Sequence, residues 1–288
     1  MTAQIINGKE IAEKVREGLK SDVQELRENG IVPGLAVILV GDNQASQTYV
    51  RNKQKACEEL GMHSILIKRS AELTEEELMK DIQDLNLDDS IHGILVQLPL
   101  PGHINEKKII EAISPEKDVD GFHPINIGRM MTGQDAFLPC TPYGVMVMLE
   151  HIGYELEGRH VVIVGRSNIV GKPAGQLFLN ANATVTYCHS KTNDLIYHTK
   201  QADVIVAAVG KRNTITSDHV KDGAVVIDVG MNRDEDGRLC GDVAFEEVSQ
   251  KASYITPVPK GVGPMTITML LQNTVKAARK SKELQLKA

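Results

Sequence analysis

Tyr49 and Lys53 stand four residues apart in TYVRNK (48–53), so a helix carries both on one face. A tyrosine offers a flat apolar ring and a hydroxyl, and a lysine whose pKa is lowered by burial can carry a proton. An isolated Y-x-x-x-K reads more simply as a half-buried tyrosine beside an exposed lysine. Gln97 breaks the apolar run IHGILVQL (91–98) at its C-terminal end, where ligands of open α/β sheets bind. The plainer alternative is a strand end emerging into water. Asp118 and Asp120 flank Val119 ahead of Gly121. Paired carboxylates can hold a metal or orient an amine-bearing ring, yet Asp-Gly turn chemistry alone also accounts for them. No His or Cys stands at a spacing that makes a metal compelling.

HVVIVGRSNIVGKPAG (160–175) passes from an apolar strand through a glycine turn into a helix. Free backbone N–H groups and the helix dipole make such a turn an anion site. A plain strand-to-helix connection looks similar, and the spacing departs from G-x-G-x-x-G, since Gly165 is followed by Arg166 and Ser167 and the next glycine is Gly171. Arg166 stands where it can reach a phosphate. The next strand, ATVTYC (183–188), runs into His189-Ser190-Lys191, without the acid that would accept a ribose 2′-hydroxyl. That favours a 2′-phosphate, and hence NADP over NAD, read by the planar fork of Arg166 with Ser190.

The elements that must position these residues are those of an α/β chain. Its 288 residues suffice for two modest domains or one large one. A net charge of −6 and 3% aromatics, with no Trp, disfavour nucleic acid and anionic membrane as partners. No apolar run reaches the length of a membrane span, and MTAQIINGKEIAEKV lacks the form of a secretory signal. Cys57, Cys140, Cys188 and Cys240 lie far apart, which reads as reduced thiols in the cytoplasm, with no disulfide frame and no zinc site.

A first helix (8–29) aligns Ile11, Val15, Leu19, Val23 and Leu26. Strands are expected at 35–41, 64–68 and 91–98, and helices at 46–60 and 75–85, the latter opened by a Thr74/Glu77 capping box. Asn105 caps a short helix. From 115 to 140 periodicity fades, and so long a loop is more often functional than idle. A connecting helix starts near Thr141. Strands at 160–164, 183–188, 202–210 and 224–230, with helical segments between the first three, imply a parallel sheet covered on both faces. Residues 253–266 are extended and turn-rich, a shaped loop suited to one wall of an interdomain cleft, where an X-Pro bond can be cis. A helix over 265–280 ends the pattern. The expected architecture is two α/β domains around a cleft. Residues 1–140 form one, with a C-terminal segment 265–288 packing back on it, and 141–264 form the other, a Rossmann-like doubly wound parallel sheet.

ASQTYVRNK (45–53), GILVQLPLP (93–101), PEKDVDGFHPIN (115–126), PCTPYG (139–144), VGRSNIVGKP (164–173) and ITPVPKGVGPMT (255–266) together resemble the bifunctional methylenetetrahydrofolate dehydrogenase/methenyltetrahydrofolate cyclohydrolase family of the bacterial FolD type. The resemblance runs from about Ile5 to Lys280. It implies hydride transfer from 5,10-methylenetetrahydrofolate to NADP, then hydrolysis of the methenyl product to 10-formyltetrahydrofolate. By the same resemblance Lys53, Tyr49, Gln97 and Asp120 are the catalytic residues. Lys53 moves the proton of the hydrolytic step, Tyr49 packs on the aminobenzoyl ring, Gln97 holds Lys53, and Asp120 orients the pterin. Leu98, Pro99, Pro259, Gly261, Gly263 and Pro264 complete the folate site. Thr141, Gly165, Arg166, Ser167, Val170, Gly171, Pro173, His189, Ser190 and Gly230 face the cofactor. No metal is implied, and a homodimer is. A glycine is expected where this chain has Lys260, and if that position needs a positive φ the lysine is strained there. Two other readings share the layout: an NADP-dependent dehydrogenase of a small hydroxy or amino acid, and a dinucleotide sensor without turnover. The first does not account for Lys53, Gln97 and Asp120 in matching motifs, and the second gives no reason to retain Tyr49 and Lys53.

Overall fold

The computed structural model describes residues 2–285. The chain divides into two compact units, one holding the residues up to Glu13 and Thr141–Thr266, the other Lys14–Cys140 and the chain from Ile267 onward. This moves the first residues out of the expected 1–140 unit, because the strand β1 (Gln4–Ile5) pairs in parallel with Tyr254 and Ile255. The Ala3 N–H also donates to the Ser249 carbonyl at 2.7 Å. Residues 1 and 286–288 of the expected ranges lie outside the described residues. The chain passes between units inside three of its helices, the first being α1 (Gly8–Glu28).

In the Lys14–Cys140 unit, β2 (Gly34–Val40) is buried along its whole length. After it come α2 (Gln44–Glu59), β3 (His63–Arg69), α3 (Glu75–Leu87), β4 (Gly93–Val96) and α4 (Glu106–Ala112). The three strands form a parallel sheet with β2 in the centre. An apolar run buried on both faces is what a central parallel strand requires. Asn43 caps α2, the Thr74/Glu77 capping box opens α3, and Asn105 caps α4. Ile38, Leu78, Ile82, Ile94 and Ile109 close the core here. Each such side chain contributes about 1.5–3 kcal/mol by leaving water.

The stretch expected to be irregular contains α5 (Pro124–Met131), eight residues long and too short to show helical periodicity. Its start is nevertheless marked. The His123 ring accepts the Ile125 N–H at 3.1 Å, and Pro124 fills a first-turn position where no N–H is needed. The helix α6 (Cys140–His151) follows.

The other unit carries β5 (His160–Val164), α7 (Gly171–Asn180), β6 (Thr184–Cys188), α8 (Leu195–Thr199), β7 (Val204–Ala207) and β8 (Val225–Asp228). Then come β9 (Asn232–Arg233), β10 (Leu239–Cys240), α9 (Phe245–Val248), β11 (Tyr254–Ile255) and α10 (Val262–Gln285). Six strands make one sheet in the order β1-β11-β8-β7-β5-β6, with parallel neighbours. Strand order therefore reverses at β5, which has β6 on one side and β7 on the other. The crevice beyond the carboxyl ends of β5 and β7 is where such sheets take ligands. The small antiparallel pair β9 and β10 lies outside this sheet and was not expected. α10 begins before residue 265, because Pro264 is tolerated in a helix's first turn. From Ile267 onward it belongs with Lys14–Cys140, where Asn273 donates to the carbonyls of Val119 at 2.8 Å and Leu138 at 3.0 Å. Among the described residues no helix is long and apolar enough to cross a membrane.

Candidate active site

α2 sets Tyr49 and Lys53 one turn apart and buries Lys53 to 7% exposure. Gln97 continues β4 by one residue, its N–H donating to the Ile38 carbonyl at 2.9 Å. The Lys53 Nζ donates to Gln97 Oε1 at 3.0 Å. Gln97 Nε2 donates to the Leu98 carbonyl at 2.8 Å, which fixes which end of the amide faces the lysine. Burial lowers the Lys53 pKa, and the negative charge of Asp120 works against that shift. Burial raises the Asp120 pKa, opposed by the Lys53 charge and by a hydrogen bond with Cys140. Lys53, Gln97 and Asp120 thus form one cluster, and half-buried Tyr49 stands a turn away with its pKa raised by burial.

The two aspartates divide their roles. Asp118 is the scaffold: its carboxylate accepts N–H groups of Phe122 at 3.1 Å and His123 at 2.8 Å, and the Asn126 amide at 2.8 Å. Burial pushes its pKa up to about 7. That turn delivers Asp120 to Lys53. A pocket beside it is lined by Leu98, Ile109, Ile110, Ile113, Asp120 and Phe122. The Leu98–Pro99 bond is cis, and Pro99 is exposed. Cys140, read from sequence only as a reduced thiol, is buried here, donating to the Val119 carbonyl at 3.3 Å. The one signal for it was its place in PCTPYG.

The Gly165 turn belongs to the other unit. Gly165 has φ 138° and donates its N–H to the Cys188 carbonyl at 2.9 Å. A Cβ there would run into the Ala208 carbonyl, and a Cβ at Gly171 into the backbone of Gly165 and Arg166. Only glycine lets the chain turn this tightly over the end of β7. Ser167 Oγ accepts from Val170 N–H at 3.2 Å and Gly171 N–H at 3.3 Å, closing the approach to α7. Gly171 and Pro173 are buried in the first turn of that helix, while Arg166 and Ser167 are exposed. Past β6, the His189 N–H donates to Thr192 Oγ1 at 2.9 Å and the His189 ring accepts the Lys191 N–H at 3.2 Å. This tight turn leaves Ser190 exposed, and no acid follows β6 before Asp194. A backbone cradle without room for Cβ atoms, a helix N-terminus, an exposed arginine and no competing carboxylate fit a dinucleotide with a 2′-phosphate.

Thr141 Oγ1 lies 2.9 Å from Thr266 Oγ1, and Gly230 is buried, both in this unit. So are Pro259, Gly261, Gly263 and Pro264. The Val258–Pro259 bond is cis, one of the X-Pro bonds the sequence marked. Lys260 has φ 80°, so the lysine does occupy a conformation that disfavours a Cβ. Its carbonyl accepts the Lys9 N–H at 3.1 Å, and Gly261 packs on Gly8.

Residues 6–120 match the family described as the tetrahydrofolate dehydrogenase/cyclohydrolase catalytic domain, and residues 139–282 its NAD(P)-binding domain. A relative from Anoxybacillus flavithermus named bifunctional protein FolD is 64% identical, over 97% of this chain and 99% of its own. Among solved structures, a FolD methylenetetrahydrofolate dehydrogenase/cyclohydrolase from Campylobacter jejuni aligns with a TM-score of 0.95 at 56% identity, covering 96% of this chain and 99% of that one. The Trypanosoma brucei FolD, solved with NADP cofactor and an inhibitor, aligns at 0.94 and 38% identity, over 98% and 99% of the two chains. With matches of this extent over both units, the chain belongs to the tetrahydrofolate dehydrogenase/cyclohydrolase family, as a bifunctional FolD-type member.

Proposed function

We infer that the hydrolytic chemistry and the holding of the cofactor rest on two separate groups of residues. The enzyme oxidises 5,10-methylenetetrahydrofolate with NADP and hydrolyses the methenyl product to 10-formyltetrahydrofolate. Bound NADP supplies the acceptor for the hydride that leaves the one-carbon bridge. Gly165, Arg166, Ser167, Val170, Gly171 and Pro173 would hold its phosphates at the start of α7, with Arg166 and Ser190 on the 2′-phosphate. Thr141, His189 and Gly230 would complete that surface.

The single observation that carries the hydrolytic assignment is the buried Lys53 Nζ, 3.0 Å from Gln97 Oε1. Methenyltetrahydrofolate is a cation, so an ammonium beside it is disfavoured twice, by burial and by like charge. A neutral Lys53 amine takes the proton of the water that adds to the methenyl carbon. The ring C–N bond of the resulting carbinolamine then breaks as its nitrogen takes up a proton and the hydroxyl gives one up, leaving the formyl group. Gln97 holds the amine, Asp120 accepts from the pterin ring N–H and amino groups, and Tyr49 lies under the aminobenzoyl ring. Leu98, Pro99, Pro259, Gly261, Gly263 and Pro264 are assigned to the folate. The same proposal places the proton-transfer residues Lys53, Gln97 and Asp120 within Lys14–Cys140 and the phosphate-holding turn on the six-stranded sheet.

The test is hydrolysis of supplied 5,10-methenyltetrahydrofolate, followed by its absorbance, in wild type and Lys53→Met. Loss in the variant with an unchanged far-ultraviolet dichroism spectrum is the expected result. Full hydrolysis in the variant removes Lys53 from the mechanism. A homodimer and action in the cytoplasm belong to the proposal as well. Family membership supports the first. The four free cysteines, Cys57, Cys140, Cys188 and Cys240, suit the second, since thiols stay reduced there. Light scattering giving the mass of one chain, or fractionation away from the cytoplasm, would remove either.

A further inference from the structure

A second pair of aspartates, in the six-stranded unit, has no part in the chemistry above. Asp242 is fully buried. Its Oδ2 accepts the N–H groups of Val209 at 2.7 Å and Gly210 at 3.0 Å, and its Oδ1 accepts Lys211 N–H at 2.9 Å and the Asn232 amide at 2.9 Å. Three successive backbone donors of one loop thus converge on one carboxylate. Asp228 ends β8 and backs this arrangement, its Oδ1 accepting Gly230 N–H at 2.9 Å and Asp242 N–H at 2.9 Å, and its Oδ2 accepting Val243 N–H at 3.0 Å. Burial pushes the Asp228 pKa up to about 6, so at neutral pH it remains an acceptor for all three donors. Gly230 and Gly241 have no room for a Cβ, because the carboxylates of Asp242 and Asp228 fill that space.

The loop so held leaves β7 at the point where strand order reverses. Ala208 is the residue against which Gly165 makes its turn, and Val209, Gly210 and Lys211 are exposed just beyond it. A loop pinned from beneath by a buried carboxylate and open to solvent above, beside a phosphate turn, is shaped as the second lip of a nucleotide crevice.

We propose that Asp242, backed by Asp228, is a positioning residue for NADP, fixing the 208–211 loop as the lip opposite the Gly165 turn. The inference rests on the cofactor reading given above. Neither aspartate touches the cofactor. Each acts through backbone that does.

The test is Asp242→Asn, whose amide places a donor against the loop's own donors. NADP affinity by calorimetry without folate, the KM for NADP, hydrolysis of supplied 5,10-methenyltetrahydrofolate and amide exchange at 209–211 are measured on the same preparation. The expected result is a Kd and KM for NADP raised at least tenfold and faster exchange at 209–211, with hydrolysis within twofold of wild type. NADP affinity within twofold of wild type despite faster exchange overturns the proposal. So does a parallel fall of both activities, which marks general destabilisation. If Asp242→Asn does not fold, Asn232→Ala removes a single donor to Asp242, and a several-fold rise in Kd for NADP is then expected, with no change as the contrary result. A wild type that binds NADP but oxidises no 5,10-methylenetetrahydrofolate would sink the functional reading and leave the calorimetric test of the loop standing.

Discussion

The Lys53 cluster and the Gly165 turn are built from opposite materials. The first consists of side chains taken out of water: Lys53 at 7% exposure, with Gln97 on its amine, the charge of Asp120 partly offsetting its burial, and the Cys140 thiol close by. The second consists of backbone, with Gly165 and Gly171 buried for want of room and Arg166, Ser167 and Ser190 facing solvent. The difference suits the tasks proposed for them. Moving a proton near neutrality requires a lysine that burial has made easier to deprotonate. Holding phosphates requires donors and a helix terminus that the anion reaches directly, with charge retained rather than suppressed.

Lys53→Met strikes the dry site at its centre and gives the largest effect. Hydrolysis of methenyltetrahydrofolate is expected to fall on the order of a thousandfold, the scale of a lost general acid–base group. A fall under tenfold would place proton transfer elsewhere. Arg166→Ala breaks the wet site, and KM for NADP is expected to rise roughly 10- to 100-fold, as for a lost charge-assisted phosphate contact, while KM for NAD stays near its starting value. Equal losses for both cofactors would refute a 2′-phosphate contact.

The pH profile sharpens the contrast. Burial holds the Lys53 pKa below that of an exposed lysine, and in the proposed mechanism the active form is the neutral amine. Hydrolysis therefore falls as pH drops through that lowered pKa, because the ammonium re-forms. Gln97→Glu puts a carboxylate where the 3.0 Å amide contact stands, raises the lysine pKa and should move the acid limb to higher pH. An unmoved limb would separate the profile from Lys53. The smallest expected effect concerns neither site's chemistry. Lys260 sits at φ 80°, and Lys260→Gly should stabilise the chain by about 1 kcal/mol in denaturant unfolding by relieving that conformation. A loss of stability would show that the lysine makes a compensating contact.

Much of this was legible in the sequence because the signals are local. The Thr74/Glu77 capping box, the Asn105 cap, the buried run of β2 and the glycine turn at Gly165 are written in neighbouring residues. Lys53 and Gln97 were legible as candidates by helix spacing and by position at a strand end, though their 3.0 Å contact joins residues that nothing local connects. What stayed hidden depends on distant partners. β1 is two residues whose sheet position is decided by Tyr254 and Ile255. Asp118 and Asp120 look alike in PEKDVDGFHPIN, and only the converging N–H groups of Phe122 and His123 separate scaffold from site. Asp242 lies in no pattern that sequence reading singled out, because its partners come from the loop at 209–211. α5 was missed for a different reason: at eight residues its caps speak louder than its periodicity.

The most direct measurement is a coupled time course on the wild-type chain supplied with 5,10-methylenetetrahydrofolate and NADP, with NADPH and methenyltetrahydrofolate followed at separate wavelengths. NADPH forming while little methenyltetrahydrofolate accumulates is the expected result, since the buried lysine consumes what the oxidation releases. Methenyltetrahydrofolate accumulating in step with NADPH would contradict the account, because it would leave the Lys53 cluster without a hydrolytic function.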